Sequence, residues 1–245
     1  MMFATQSLLL FLFRMVLTTH CVVVDAGHGG DHDAGATLGT IKEKTLTLTM
    51  ANELREQLLQ QLPHYQVVMP RGTDRDVSLG ERIRFANQHD CEAFISLHVN
   101  SSRNAQLSGI ETFYLDTFKS RFQQRLRETF MRIEGHRLSV TDLIARELEI
   151  KTVTQQSGEL AVRMLKTVHR ELASEYAGVR INSVKRDIFE LLLGVRMPAI
   201  LVEAGYLSNE NDRQRLQNTH YRHLLEKAMA LAVKEFLQPS LSKMQ

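Results

Sequence analysis

Apolar and polar positions along this chain switch between a strand period and a helix period, and the switches predict its elements. Cys21 to Val24 is a short, continuous apolar run that reads as a buried strand, followed from Asp25 to Gly39 by a loop rich in glycine and aspartate. Leu46, Met50, Leu54, Leu58 and Leu62 then recur every fourth residue on one helical face, and Pro63 stops the helix. Tyr65 to Met69 reads as the next strand. Ser78, with Glu81 three residues later, is a capping-box pattern that opens a helix through Leu79, Ile83 and Ala86. Strands are expected at Glu92 to Leu97 and Ile110 to Leu115. Helix is expected from Phe118 to about Glu149, broken near Gly135, and again from Gly158 to Leu172. Ile188 to Leu193 and Ala199 to Val202 read as the last strands, and Tyr221 to Leu237 as the closing helix.

Strands that alternate with helices predict an α/β fold: a single domain with a mostly parallel or mixed sheet of about six strands and helices on both faces. The length of 245 residues suits one domain with a substantial core. No Pro-rich or Ser/Gly-rich stretch marks a linker, so the catalytic domain is expected over 21–239 with a short tail over 240–245. The first twenty residues differ from the rest. Ser7 to Phe13 is apolar, Arg14 interrupts, and Met15 to Leu17 resume. This run is too short for a stable membrane span, which needs about 20 apolar residues. Residues 1–20 read as an export signal that sends the chain to the periplasm or cell envelope, with a mispredicted start or a loose N-terminal helix as the other reading.

Charge changes this picture little. Thirty basic and twenty-eight acidic side chains leave a net charge of +2, which gives no argument for a nucleic-acid partner. The two cysteines, Cys21 and Cys91, lie beside or within apolar runs, so buried free thiols are expected rather than a disulfide framework.

Candidate chemistry gathers where strands end, the usual place for a site in such a sheet. His28 follows the first strand in Asp-Ala-Gly-His-Gly-Gly, His98 follows Phe-Ile-Ser-Leu, Glu43 opens the first long helix, and Glu203 ends the Ile-Leu-Val strand. Two imidazoles and a carboxylate are a known catalytic zinc set that leaves a fourth position open. By composition His32, Asp31 and Asp33 serve equally well as ligands, and spacing alone does not choose.

Five blocks recur in order: Val-Val-Asp-Ala-Gly-His-Gly-Gly at 23–30, Lys-Glu-Lys at 42–44, Arg-Phe-Ala-Asn at 84–87, Phe-Ile-Ser-Leu-His-Val-Asn-Ser at 94–101, and Pro-Ala-Ile-Leu-Val-Glu-Ala-Gly-Tyr-Leu-Ser-Asn at 198–209. Together they resemble the zinc-dependent N-acetylmuramoyl-L-alanine amidases that split septal peptidoglycan, from about Val22 to Leu237. Ala26 stands where that family usually has proline. The resemblance implies one zinc ion on His28, Glu43 and His98, with Glu203 as the catalytic acid/base, and peptidoglycan as substrate. It further implies a role in daughter-cell separation and an activator protein with a lysostaphin-like domain. Asn100 and Ser101 are candidate contacts to the stem peptide, or turn residues capping a strand end. Some relatives carry a helix that covers the zinc; the corresponding segment here is 117–140, with Phe118, Phe122, Leu126 and Phe130 on one stripe. A plugging carboxylate in it would have to be Glu128 or Glu134. The rival readings are a D-alanyl carboxypeptidase, at the same zinc or through a serine whose only Ser-x-x-Lys match, Ser240 to Lys243 in the polar tail, reads as chance, and a non-catalytic wall-binding protein with the same fold.

Overall fold

The computed structural model describes residues 20–135 and 139–238. The leader apart from His20, and the tail with its Ser240 and Lys243 pair, lie outside these residues. Six strands form the main sheet: β1 (Cys21–Ala26), β4 (Gln66–Val68), β5 (Ala93–Asn100), β6 (Ile110–Leu115), β7 (Ile181–Asp187) and β8 (Ala199–Tyr206). Their spatial order is β4-β1-β5-β8-β6-β7. All neighbours run parallel except β6 and β8, which are antiparallel. A two-residue pair, β2 (Thr37–Leu38) with β3 (Ile41–Lys42), closes the glycine-rich loop.

Alternation along each strand divides the side chains between two cores. Val22, Ile95, Ile200 and Val202 face the larger one, built with α1 (Glu43–Gln61), α4 (Val140–Leu172) and α7 (Thr219–Leu237). The helix period read from Met50, Leu54, Leu58 and Leu62 is the buried stripe of α1 and the turn after it. On the opposite face Val23, Phe94 and Leu201 meet α2 (Leu79–His89), α3 (Phe122–Glu134) and α5 (Glu190–Gly194). The capping box of Ser78 and Glu81 is present at the start of α2. A short helix, α6 (Glu210–Gln217), precedes α7. Among the described residues, no helix is long and apolar enough to cross a membrane.

Several expectations are corrected. Ile188 to Leu193 is not a strand. The edge strand is the more polar β7 just before it, which pairs only with β6 and so carries no continuous apolar run, while the apolar run itself ends in α5 and fills the gap between sheet and helices. The helix expected from Gly158 begins eighteen residues earlier, in one 33-residue α4 that crosses Tyr114 at Gly158. His98 and Glu203 lie inside β5 and β8 rather than beyond them. Of the stripe in 117–140, Phe122, Leu126 and Phe130 are buried but Phe118 is 83% exposed.

The cysteines are buried as expected but are not free: Cys21 and Cys91 form a disulfide. The physical reason is tertiary. Cys21 opens β1, Cys91 precedes β5, and the parallel pairing of Val22 with Ala93 brings their Cα atoms to 4.7 Å.

Candidate active site

Strand register builds the site. On the face covered by the shorter helices, Asp25 on β1 lies opposite Ser96 on β5, His98 on β5 opposite Glu203 on β8, and Glu203 opposite Glu111 on β6. Where apolar residues fill this face at one end of the sheet, a polar row crosses it at the other.

The loop after β1 brings His28 to this row. His28 has φ of 60°, and the backbone before it passes so close to His98 that a Cβ on Gly27 would sit 2.4 Å from that ring. Buried arginines hold the loop. Arg82 donates to Asp25 Oδ1, to the Ala26 carbonyl and to the His28 carbonyl, and Arg71 donates to the carbonyls of Ala26, Gly27 and Lys44. Lys44 Nζ donates to Gly30 O and Asp74 Oδ2, each at 2.7 Å.

Glu43 opens α1 without a side-chain cap; its amide and that of Lys44 donate instead to the carbonyls of Ala36 and Ala34. Its Oε1 accepts from the Val99 amide at 3.0 Å and lies 3.1 Å from both His28 Nε2 and His98 Nδ1. Its Oε2 accepts from the Ala36 amide. A Cβ at Gly35 (φ 65°) would strike this carboxylate at 2.6 Å. The donor atoms of His28, Glu43 and His98 all lie within 4.8 Å of one another. Of the alternatives, Asp33 Oδ1 pairs with His28 Nδ1 at 2.7 Å, so it orients that ring, and His32 points outward toward Asp76.

Electrostatics separate the carboxylates. Burial disfavours the Glu43 charge, but the two imidazoles outweigh it and hold the pKa well below the ordinary range. Burial likewise opposes the His28 cation, and hydrogen bonds and charge from Glu43 and Asp33 outweigh it, raising the pKa. Glu203 goes the other way: burial, then the charges of Glu43 and Glu111, push it up to about 8. Its Oε2 is buried without a hydrogen-bond partner. Glu111, which the sequence reading passed over, accepts from Tyr206 Oη and Asn182 Nδ2 and pairs with Lys185 at 2.8 Å.

Other expected residues stand further off. Asn100 Oδ1 accepts from the Ser101 amide, a turn contact at the end of β5. A cavity of about 470 Å³ beside His28 is lined by Asp33, Asp76, Leu79, Arg82 and Leu191 among others, and by no residue of α3. Glu128 accepts from Gln124 and pairs with Arg125, and Glu134 pairs with Arg146.

The family model described as N-acetylmuramoyl-L-alanine amidase matches residues 22–235. This chain belongs to the N-acetylmuramoyl-L-alanine amidase family. The amidase is 28% identical over 217 residues to a provisionally named N-acetylmuramoyl-L-alanine amidase of Buchnera aphidicola subsp. Baizongia pistaciae, spanning 88% of this chain and 95% of that one. It resembles the crystal structure of N-acetylmuramoyl-L-alanine amidase from Clostridium difficile 630 with a TM-score of 0.69 and 27% identity, over 91% and 98% of the two chains. The amidase AmiC2 of Nostoc punctiforme superposes with a TM-score of 0.67 and 26% identity, over 89% and 97%. The protein is therefore an enzyme of peptidoglycan hydrolysis.

Proposed function

We propose that the amidase hydrolyses the bond between the lactyl carbonyl of N-acetylmuramic acid and the L-alanine nitrogen of the stem peptide with one zinc ion held by His28, Glu43 and His98. The observation that carries this is the convergence of two imidazole nitrogens and one carboxylate oxygen within 4.8 Å, a donor set that suits catalytic zinc. When bound, zinc supplies a Lewis acid that activates water near neutral pH and polarises the carbonyl. The chain's own residues do the rest. Asp33 and Glu43 fix the two rings, and Arg82 and Arg71 fix the loop that carries His28. Glu203 takes a proton from the attacking water and returns it to the departing nitrogen, as the C–O bond forms and the C–N bond breaks. Burial and the neighbouring carboxylates raise this carboxyl, so its ionised form is a stronger base than an ordinary glutamate.

We place this work in the cell envelope, in wall remodelling and daughter-cell separation. The Cys21–Cys91 disulfide supports an oxidising compartment, and with it the reading of residues 1–20 as an export signal. A regulatory role for 117–140, relieved by a lysostaphin-like activator, would require α3 to leave its packing against α2 and α5.

The test is digestion of purified peptidoglycan with product identification by mass spectrometry. Free stems beginning at L-alanine are expected, lost with chelator. Glu203→Gln should keep one zinc per chain while slowing release about 10²–10⁴-fold. Stems shortened only by D-alanine would replace this reading with a carboxypeptidase, and zinc-loaded protein without any turnover would favour a binding protein.

A further inference from the structure

One sizeable cavity among the described residues is not at the site. It is a groove of about 1100 Å³ between α4 and the far ends of β6 and β7. Because β6 runs antiparallel to β8 and Glu111 lies opposite Glu203, the chain moves away from the site as it passes Tyr114 and Leu115, by roughly 13 Å over four residues. Tyr114 also faces the α4 side of the sheet, opposite to the face of Glu111 and Glu203. The groove is therefore separate from the metal ligands in both end and face.

Its chemistry is cationic and aromatic. Lys151, Arg163, Lys166, Arg170 and Arg186 line it against two carboxylates, Glu159 and Glu235. In a chain of net charge +2 this is a local concentration of positive charge. Glu235 is taken up by Arg163, Arg170 and Thr167, and Lys151 pairs with Glu147. Lys166 and Arg186 have no carboxylate partner among the described residues. Phe118 stands 83% exposed at the groove, with the Arg186 guanidinium 5.7 Å from its ring centre. Two polar atoms in the lining, Thr154 Oγ1 and Arg163 Nε, are shielded from water yet have no hydrogen-bond partner. Such groups are uncommon in folded proteins. The volume exceeds the range of about 300–1,000 Å³ typical of small-molecule sites and suits a length of polymer.

We propose that this groove is a second binding site for peptidoglycan, taking the carboxylates of stem peptides on Lys166 and Arg186 and an apolar face of the strand on Phe118. This rests on the amidase reading and deepens it: the enzyme holds its polymer at two places, one of them away from the bond being cut. Two cations without carboxylate partners beside an exposed ring match a sugar strand whose stem peptides carry carboxylates.

The experiment uses the full chain carrying Glu203→Gln, so that the wall is not consumed, and measures co-sedimentation with insoluble peptidoglycan sacculi. Adding Lys166→Glu with Arg186→Glu, both exposed positions, should weaken sacculus binding about tenfold, the size expected for reversing two exposed charge contacts. Phe118→Ala should weaken it less steeply and with little salt dependence. Sacculi whose carboxyls have been amidated should bind the unreversed chain as weakly as native sacculi bind the charge-reversed one. In the chain with Glu203 restored, the same charge reversals should leave turnover of a soluble disaccharide-peptide unchanged and slow digestion of intact sacculi. Unchanged sacculus binding after charge reversal overturns the proposal. So does loss of binding to anionic phospholipid vesicles without loss on sacculi, which would make the groove a membrane contact. Absence of stem release by the wild-type chain would sink the amidase reading instead, and leaves the binding arm to decide the groove.

Discussion

Reducing the Cys21–Cys91 disulfide should cost this enzyme about 4 kcal/mol. The bond closes a loop of 70 residues, and chain-entropy bookkeeping for that length gives about 4.4 kcal/mol at 25 °C from restriction of the unfolded chain alone. The folded state loses little to offset this. Both sulfurs are buried among apolar neighbours, so the thiols formed leave no costly polar orphan. The Glu92 amide still donates to the Cys21 carbonyl, and Val22 still pairs with Ala93, which hold the two backbones together without the bond. With a urea slope of about 2–3 kcal/mol/M, the unfolding midpoint should fall by roughly 1.3–2 M. The assay is equilibrium urea unfolding followed by circular dichroism, with and without a phosphine reductant, on the metal-free chain. Cys21→Ala with Cys91→Ala should match the reduced wild type and be indifferent to reductant. A shift below about 0.3 M would refute the reasoning, because strand pairing would then persist in the unfolded ensemble and do the work assigned to the bond.

Asp33→Ala should lower zinc affinity about 10–100-fold, measured by chelator competition, because His28 loses the partner at Nδ1 that fixes its ring. Glu226→Met should raise stability near pH 8 by about 1–3 kcal/mol in urea unfolding. Glu226 is fully buried in α7 with neither carboxyl oxygen hydrogen-bonded, and burial first, then the charge of Glu53, raises its pKa well above 4.5. Below about pH 4.5 the folded and unfolded chains both hold that proton. As pH rises above this the unfolded chain ionises first and the wild type loses stability, so the advantage of Glu226→Met should grow with pH. A gain that did not change between pH 4 and pH 8 would exclude the buried charge as its cause.

The long periodic elements were legible in the sequence because their signal is local. The stripe of α1, the capping box of α2 and the apolar runs of β1, β5 and β8 each announce themselves within a few residues. β7 did not, because an edge strand with one partner buries little, and its polar sequence Ile-Asn-Ser-Val-Lys-Arg-Asp reads as loop. At the site, residue type and spacing left His28, His32, Asp31 and Asp33 as equals, and resemblance chose among them. The structure explains the difference by direction: the His28 ring lies between Asp33 and Glu43, whereas the His32 side chain is 89% exposed. Asp25, Arg71, Arg82, Lys44 and Glu111 escaped notice because charged residues usually face water, and their burial depends on contacts distant in sequence. One signal for them was available. Asp25, Ser96 and Glu111 are polar residues inside apolar strand runs, on positions whose neighbours two residues away point into the core. Disulfide pairing had no local signal at all, since it needs β1 and β5 side by side.

Glu43 gathers the donors of the proposed metal site. One of its oxygens already draws in both imidazoles and the Val99 amide, and the other holds the loop at Ala36, so the three donors are assembled by the protein's own hydrogen bonds. If zinc binds at these donors as proposed, its removal is expected to stop turnover and leave the fold intact, unlike the small zinc domains in which the ion itself supplies the folding free energy. Circular dichroism with and without chelator would check this.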